Sequence, residues 1–262
     1  DQTVANKTLV IDKVANVQIP YTGEDIKHLN NGAGYETVYG DQIAQAFRTI
    51  TNKIESHVSL KLSQGASRAI GVAGTTPFGS NFDEVAEIRQ ILVDNGMPLD
   101  GQATLAINST AGTKLRNLAQ LQRVNESGGE ELLRRGELLN LQGLMLKESN
   151  GIASHVKGTA TGALVNGALA VGATAVVFDT ATAGATGIKA GDVISFAADT
   201  ANKYVVEVGL VGTSGTITIA GPGLRVAIPD NNAITVGGSY TGNIAFHRAA
   251  CELVVRPPAM PL

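Results

Sequence analysis

The chain closes on 243-NIAFHRAACELVVRPPAMPL-262. This apolar stretch reads as a pair of strands, yet it follows eighty-five residues, Gly158–Gly242, that are nearly free of charge. That preceding zone holds three basic and five acidic residues and fifteen of the chain's thirty-one glycines. Its composition belongs to a different folding unit, whereas the closing stretch matches the charged, strand-favouring sequence that opens the chain. The simplest organisation is an α+β domain interrupted near His155 by a β module and resumed near Asn243, the last strands completing a sheet begun earlier.

Working back from that end, the zone from Gly158 to Asn243 predicts short strands at Val193–Phe196, Tyr204–Val208, Ile217–Ile219, Leu224–Ile228 and Ile234–Val236. Turn signals AGD, GTSG, GPG and PDNN separate them. Strands at that spacing describe a small antiparallel barrel or sandwich. Gly158–Phe178 carries no charged residue, but its glycines and sparse Leu and Ile fit short strands better than a membrane span.

The opening 8-TLVIDKVANVQIP-20 predicts a strand ending at Pro20. A turn-rich link follows, then a helix over about Tyr35–Ser63, with Ile43, Phe47, Ile50, Ile54, Val58 and Leu62 along one stripe. Arg48, Asn52 and Glu55 lie between these positions and form either a solvated face or a subunit contact. A second helix is expected at 81-NFDEVAEIRQILVDNG-96, capped by Asn81 or Asp83 and stopped by Gly96. ATLAIN (103–108) predicts a buried strand, the following Ser109 and Thr110 cap a helix, and 141-LQGLMLKESN-150 predicts another strand. Glu130, Glu131, Arg134, Arg135 and Glu137 fall in a glycine-flanked segment, read as a solvated loop or a charged intersubunit contact.

The net charge of −3 is unlike a general nucleic-acid binder, which needs a basic patch against phosphates. The lone Cys251 provides no internal disulfide and is read as a buried small hydrophobe. No phosphate loop, GxGxxG, HExxH or GxSxG motif is present, and His28, His57, His155 and His247 are far apart in sequence. These observations supply no catalytic, cofactor-binding or metal-binding motif, although a metal site assembled in three dimensions stays open. Asp1–Pro20 lacks the basic segment and apolar block of a secretory signal, and a start on Asp1 is expected of a chain beginning inside a longer gene product.

Several stretches, in order, resemble the major capsid proteins of tailed bacteriophages, specifically the P22-like coat-protein group with the HK97-type fold. They are YGDQIAQAFRTITNKIESHV (39–58), ASRAIGVAGTTPFGS (66–80), ILVDNGMPL (91–99), LAINSTAGTKLRNLAQL (105–121) and LLRRGELLNLQGLMLKES (132–149). They continue with IKAGDVISFAADTANKYVV (188–206), AGPGLRVAIP (220–229) and AFHRAACELVVRPPAMP (245–261). The resemblance covers essentially the whole chain. Its specificity lies in the order of the segments and the position of the β insertion.

The resemblance implies a P-domain strand and spine helix over 1–70, an A-domain over 71–157, an inserted β-barrel over 158–243 and returning C-terminal strands over 244–262. It further implies a structural shell protein of a virion, assembled in the bacterial cytoplasm as hexameric and pentameric capsomers with a scaffolding protein and a portal. No sequence-specific nucleic-acid binding and no membrane are implied. Members of the group carry an N-terminal arm and extended loop ahead of this start, so the chain alone is expected to be monomeric or a small oligomer. Two other readings remain open at this point: a bacterial nanocompartment shell of the same fold, and a carbohydrate- or surface-binding protein using the β module.

Overall fold

The computed structural model describes residues 8–20, 22–30, 35–79, 81–122, 140–182 and 184–257. The architecture is mixed α and β with mostly antiparallel sheets. The chain divides into two compact units, one of Asp1–Glu55 with Ala249–Leu262 and one of Ser56–Arg248.

In the first unit, helix α1 spans Gly23–Asn30 and α2 begins at Tyr35, running to Gln64 in the second unit. Thr22 opens α1 with reciprocal bonds: its hydroxyl accepts from the Asp25 amide at 3.2 Å, and its own amide donates to the Asp25 carboxylate at 3.2 Å. This is a capping box. The hydrogen bonds from Thr22, its hydroxyl first, hold the Asp25 carboxyl below its ordinary value. Residues 8–20 form no strand, which corrects the strand expected there. Leu9, Val10 and Val14 of that segment are exposed, so its alternation has no partner ladder to bury it. The closing stretch likewise supplies one strand rather than two, because residues 251–257 carry no regular structure. Cys251 is half-buried, not buried, since the segment around it lies at the surface.

In the second unit, Ala103–Ile107 (β2), Met145–Glu148 (β3) and Ile244–His247 (β12) form a three-stranded sheet in the order β12–β2–β3. β12 runs antiparallel to β2 with Ile244 opposite Ala106 and His247 opposite Ala103. β3 runs parallel to β2, with helices α4 (Ser109–Arg116) and α5 (Ala119–Gln122) between them in sequence. Along β2, Ala103, Leu105 and Ile107 alternate into a core shared with Phe78, Leu115, Leu144, Leu146 and Val85 of helix α3 (Asp83–Asp94).

Helix ends show which polar groups satisfy the free backbone amides. Asn108 caps α4, its side-chain oxygen accepting from the Ala111 amide at 2.9 Å; the cap is one residue earlier than the expected Ser109 and Thr110. The α3 N-cap position is Phe82, with no side-chain cap bond, rather than Asn81 or Asp83. At its other end Gly96 adopts φ +85°, and Met97 donates to the Leu92 carbonyl at 3.0 Å, a left-handed stop that glycine permits without a Cβ clash.

Six of the remaining strands build an antiparallel barrel. Its path is β10 (Ile234–Val236), β7 (Val193–Phe196), β8 (Asp199–Val208), β9 (Gly215–Ile219), β6 (Ala175–Asp179) and β5 (Leu164–Val165). Backbone bonds from Val165 to Asn232 and from Ile234 to Ala163 close β5 onto β10. Leu224–Ile228, expected as a strand, forms no ladder: Ile228 makes an isolated bridge to Leu169, and Leu224 exchanges backbone bonds with Gly172 and Ala173. Strand β1 (Arg68–Ala69) adds to β8, while β4 (Ser154–His155) and β11 (Tyr240–Thr241) pair separately. The barrel core of Val165, Val176, Phe178, Ile194, Phe196, Tyr204, Ile217 and Ile219 shares no residue with the core behind β2.

Two separate cores make excision testable. Replacing Gly158–Gly242 by a short flexible linker is expected to leave a domain that unfolds cooperatively in a circular-dichroism melt; a non-cooperative baseline would contradict independent cores. Within the retained part, Asn108→Ala is expected to cost about 1 kcal/mol through loss of the α4 cap, read by urea denaturation.

Candidate interaction surface

Two surfaces combine unusual exposure with defined chemistry, one in each unit. In the first unit, none of the described residues is buried. Among the described residues, ten of the nineteen strongly exposed large apolar side chains fall in this unit, which is roughly a quarter of the chain. On α2, Phe47 is 67% exposed and Ile43, Ile50 and Ile54 are only half-buried, so the expected stripe exists but is uncovered. Arg48, Asn52 and Glu55 are exposed on the same helix. At about 100° per residue, Asn52 faces away from the stripe, while Arg48 and Glu55 flank it. Glu130, Glu131, Arg134, Arg135 and Glu137 lie outside the described residues.

The second surface surrounds the place where the barrel joins the three-stranded sheet. At the stem, β4 leads into the barrel and β11 leads out, with His155 opposite Tyr240. Asp192, whose side chain is fully buried, accepts from the Gly158 amide at 3.0 and 3.1 Å and from the Lys189 amide at 2.7 Å. His155 Nε2 lies 2.7 Å from the same carboxylate. Tyr240 donates to the Gly191 carbonyl at 2.7 Å, and its ring centroid is 5.2 Å from that of His155. Gly158 is required here because a Cβ would come within 2.1 Å of the Gly187 carbonyl oxygen.

Farther from the stem, β1 pairs with β8 through Arg68 opposite Tyr204 and Ala69 opposite Lys203. Asp94, at the end of α3, faces Arg68 at 3.4 Å and Arg225 at 4.0 Å. Arg68 also donates to Asn202 at 3.2 Å and Arg225 to Asn95 at 3.3 Å. Beneath these groups Asp199, buried, accepts from the Tyr204 hydroxyl at 2.6 Å and from the Asn202 side chain at 2.9 Å. A cleft of about 820 Å³ is lined by Leu105, Ile88 and Leu92 on one side and Val193, Val205 and Thr235 on the other.

The histidine readings change with this geometry. His155 and Asp192 are 37 positions apart, and His247 and Asp100, at 3.0 Å, are 147 apart, so no local spacing joins either pair. The Gln102 amide first, and His247 with it, hold the Asp100 carboxyl below its ordinary value. Among the described residues no group of three or more His, Cys, Asp or Glu side chains gathers as a metal site. Nor, among them, is any helix long and apolar enough to cross a membrane.

No family model and no curated protein matches the chain. Among solved structures, a chain from Mycobacterium phage Che8 is loosely similar, with a TM-score of 0.39 and 15% identity over 76% of this chain. This chain spans 58% of that phage chain's length. A likeness at that level carries no argument about fold or role.

The buried Tyr204 and the half-buried Tyr240 give two measurable outcomes. Burial, reinforced by Asp199, pushes the Tyr204 hydroxyl up to about 12, and burial with the nearby Asp192 carboxylate does the same for Tyr240. Below the ordinary tyrosine value near 10 the unfolded chain also keeps these protons, so their stabilising contribution is complete there. It falls as pH rises and is lost through about 12. Denaturation midpoints measured between pH 9 and 12 should therefore decline, alongside a delayed tyrosinate absorbance. Tyr204→Phe leaves the Arg225 amide without its acceptor at 2.9 Å and removes a donor to Asp199, a change expected to cost about 1–3 kcal/mol in urea denaturation.

Proposed function

We propose that this chain is the major capsid protein of a tailed phage or prophage, of the P22-like group with the HK97-type fold. In this reading it is a structural subunit without catalytic activity or cofactor. It assembles with copies of itself into hexameric and pentameric capsomers, with a scaffolding protein and a portal, in the bacterial cytoplasm. The shell encloses DNA without reading its sequence.

The observation that carries the reading is the first unit, with apolar side chains at its surface and no buried residue among those described. Folded monomers rarely leave such surface uncovered, and patches of this kind mark contacts with other chains. Repeated contacts across a symmetric assembly bury such surface many times over. The ordered sequence resemblance then supplies the class of assembly. Helix α2 is 30 residues long, about 45 Å at the standard rise, and offers a long face for contacts with other copies.

The barrel is a poor match to carbohydrate recognition. Sugar sites rely on exposed aromatic faces, whereas Phe178, Phe196 and Tyr204 are fully buried and the Tyr240 ring packs on His155. A nanocompartment shell of the same fold would share the first-unit surface and differ in its neighbouring genes.

The test is to express the gene product containing this chain together with its neighbouring genes and fractionate the lysate by sedimentation. Closed particles in which this chain is the most abundant protein are expected. A chain remaining at the top of every gradient, with no terminase, portal or scaffold gene nearby, would refute the proposal. Phe47→Glu in the same gradients is expected to deplete particles while changing chain stability by about 0.5 kcal/mol or less, because its site is exposed.

A further inference from the structure

Among the contacts that hold the barrel to the rest of the second unit, two differ sharply in strength: the stem, and the edge where β1, α3 and the Lys203 bond to the Gly71 carbonyl meet β8. At the stem, one buried carboxylate collects the Gly158 amide from the incoming chain, the Lys189 amide of its own turn and His155. The same turn holds the outgoing chain, through the Tyr240 hydroxyl on the Gly191 carbonyl. Both crossings are thus fixed to Lys189–Asp192. Gly191, with φ +93°, lets the turn approach His155; a Cβ there would lie 3.1 Å from the imidazole. Removing a member of such a buried, hydrogen-bonded set leaves a carboxylate without compensation, which makes the stem hard to open.

The distal contact is built differently. Asp94 is 43% exposed, its partners Arg68 and Arg225 stand at 3.4 and 4.0 Å, and the accompanying β1–β8 ladder has two residue pairs. Arg68 is itself 9% exposed, but the Asp94 carboxylate is open to solvent and Arg225 stands at 4.0 Å, so the contact is partly screened by salt and weaker than the fully buried clamp. Between stem and distal contact lies the cleft of about 820 Å³, lined by both the barrel and the three-stranded sheet region. A close-packed interface would resist relative motion, but a cleft of this size interrupts the packing.

We infer that the barrel is mounted as a swivel, which pivots as a body on the Asp192 clamp while the Asp94–Arg68–Arg225 contact and the β1–β8 pairing release. The clamp preserves the connection through the movement; the distal contact sets the resting orientation. This inference stands on the geometry of the second unit and does not require the shell reading.

Amide hydrogen exchange followed by mass spectrometry on the whole chain tests it. Asp94→Asn is expected to raise exchange about fivefold to thirtyfold at Arg68–Ala69 and Lys203–Val205. Added salt should produce the same change in the unmodified chain. Exchange in β6, β9 and the Ser154–Gly158 stem should stay unchanged under both conditions. Unchanged exchange at β1 in both conditions would overturn the releasable contact. A matching rise across β6 and β9 would overturn movement as a body, since the barrel would then be unfolding. Asp192→Asn is a separate check: faster exchange at Ser154–Gly158 and Tyr240–Thr241 is expected, and an unaltered stem would remove Asp192 as the pivot.

Discussion

The architecture of the second unit depends on the pairing of β12 with β2. The register from Ile244 opposite Ala106 to His247 opposite Ala103 joins residues about 140 positions apart. Closing so long a loop costs entropy, though only logarithmically with its length. The intervening chain reduces that cost by folding on itself. Its barrel core contains no residue of the β2 core, so the intervening segment supplies its own packing, within the same compact unit, and presents both of its ends together. The β4–β11 pairing, one step nearer the barrel, holds those ends side by side before the chain reaches β12.

The barrel meets a particular difficulty of composition. It is rich in glycine and alanine, with four aromatic residues between Gly158 and Asn243, so large side chains cannot supply all its packing. Three of them, Phe178, Phe196 and Tyr204, are fully buried, with Phe196 and Tyr204 edge to face at 5.8 Å. Its two buried carboxylates take on the polar part of the same task. Asp199 organises Tyr204 and Asn202, and Asp192 organises Gly158, Lys189 and His155. Burying either group is tolerable only because several donors converge on it. Each of these acids therefore fixes a turn or crossing that sparse apolar packing would leave loose.

Elements whose information is local were legible in the sequence. The α2 stripe from Ile43 to Leu62, the alternation in β2 and the turn-bounded strands β7 and β10 follow from periods that a single segment displays. The α4 cap is ambiguous in sequence because Asn108, Ser109 and Thr110 are all competent caps, and backbone geometry at Asn108 decides among them. The reciprocal Thr22–Asp25 signal of α1 is written in TGED, but it sits in a turn-rich region with no apolar period to mark a helix. Other features leave no local trace. A two-residue strand such as β1 has no period, and the Asp192 and Asp94 contacts join segments whose proximity exists only after the sheets form. Exposed Arg48, Asn52 and Glu55 were identifiable as a helix face, but amphipathicity cannot specify which surface covers the apolar stripe.

That last distinction also explains why Thr8–Pro20 looked like a strand. Alternation records the presence of two chemically different faces; it does not supply a hydrogen-bonding neighbour. β2 has both requirements, with β12 and β3 on either side and a core beneath Leu105 and Ile107. Residues 8–20 have the pattern but neither a ladder nor a burying face among the described residues, and Val14 stands 91% exposed. Strand propensity is chiefly the fit of a side chain to a pleated, half-covered surface. A segment deprived of that surface keeps its sequence pattern and loses the reason to become a strand.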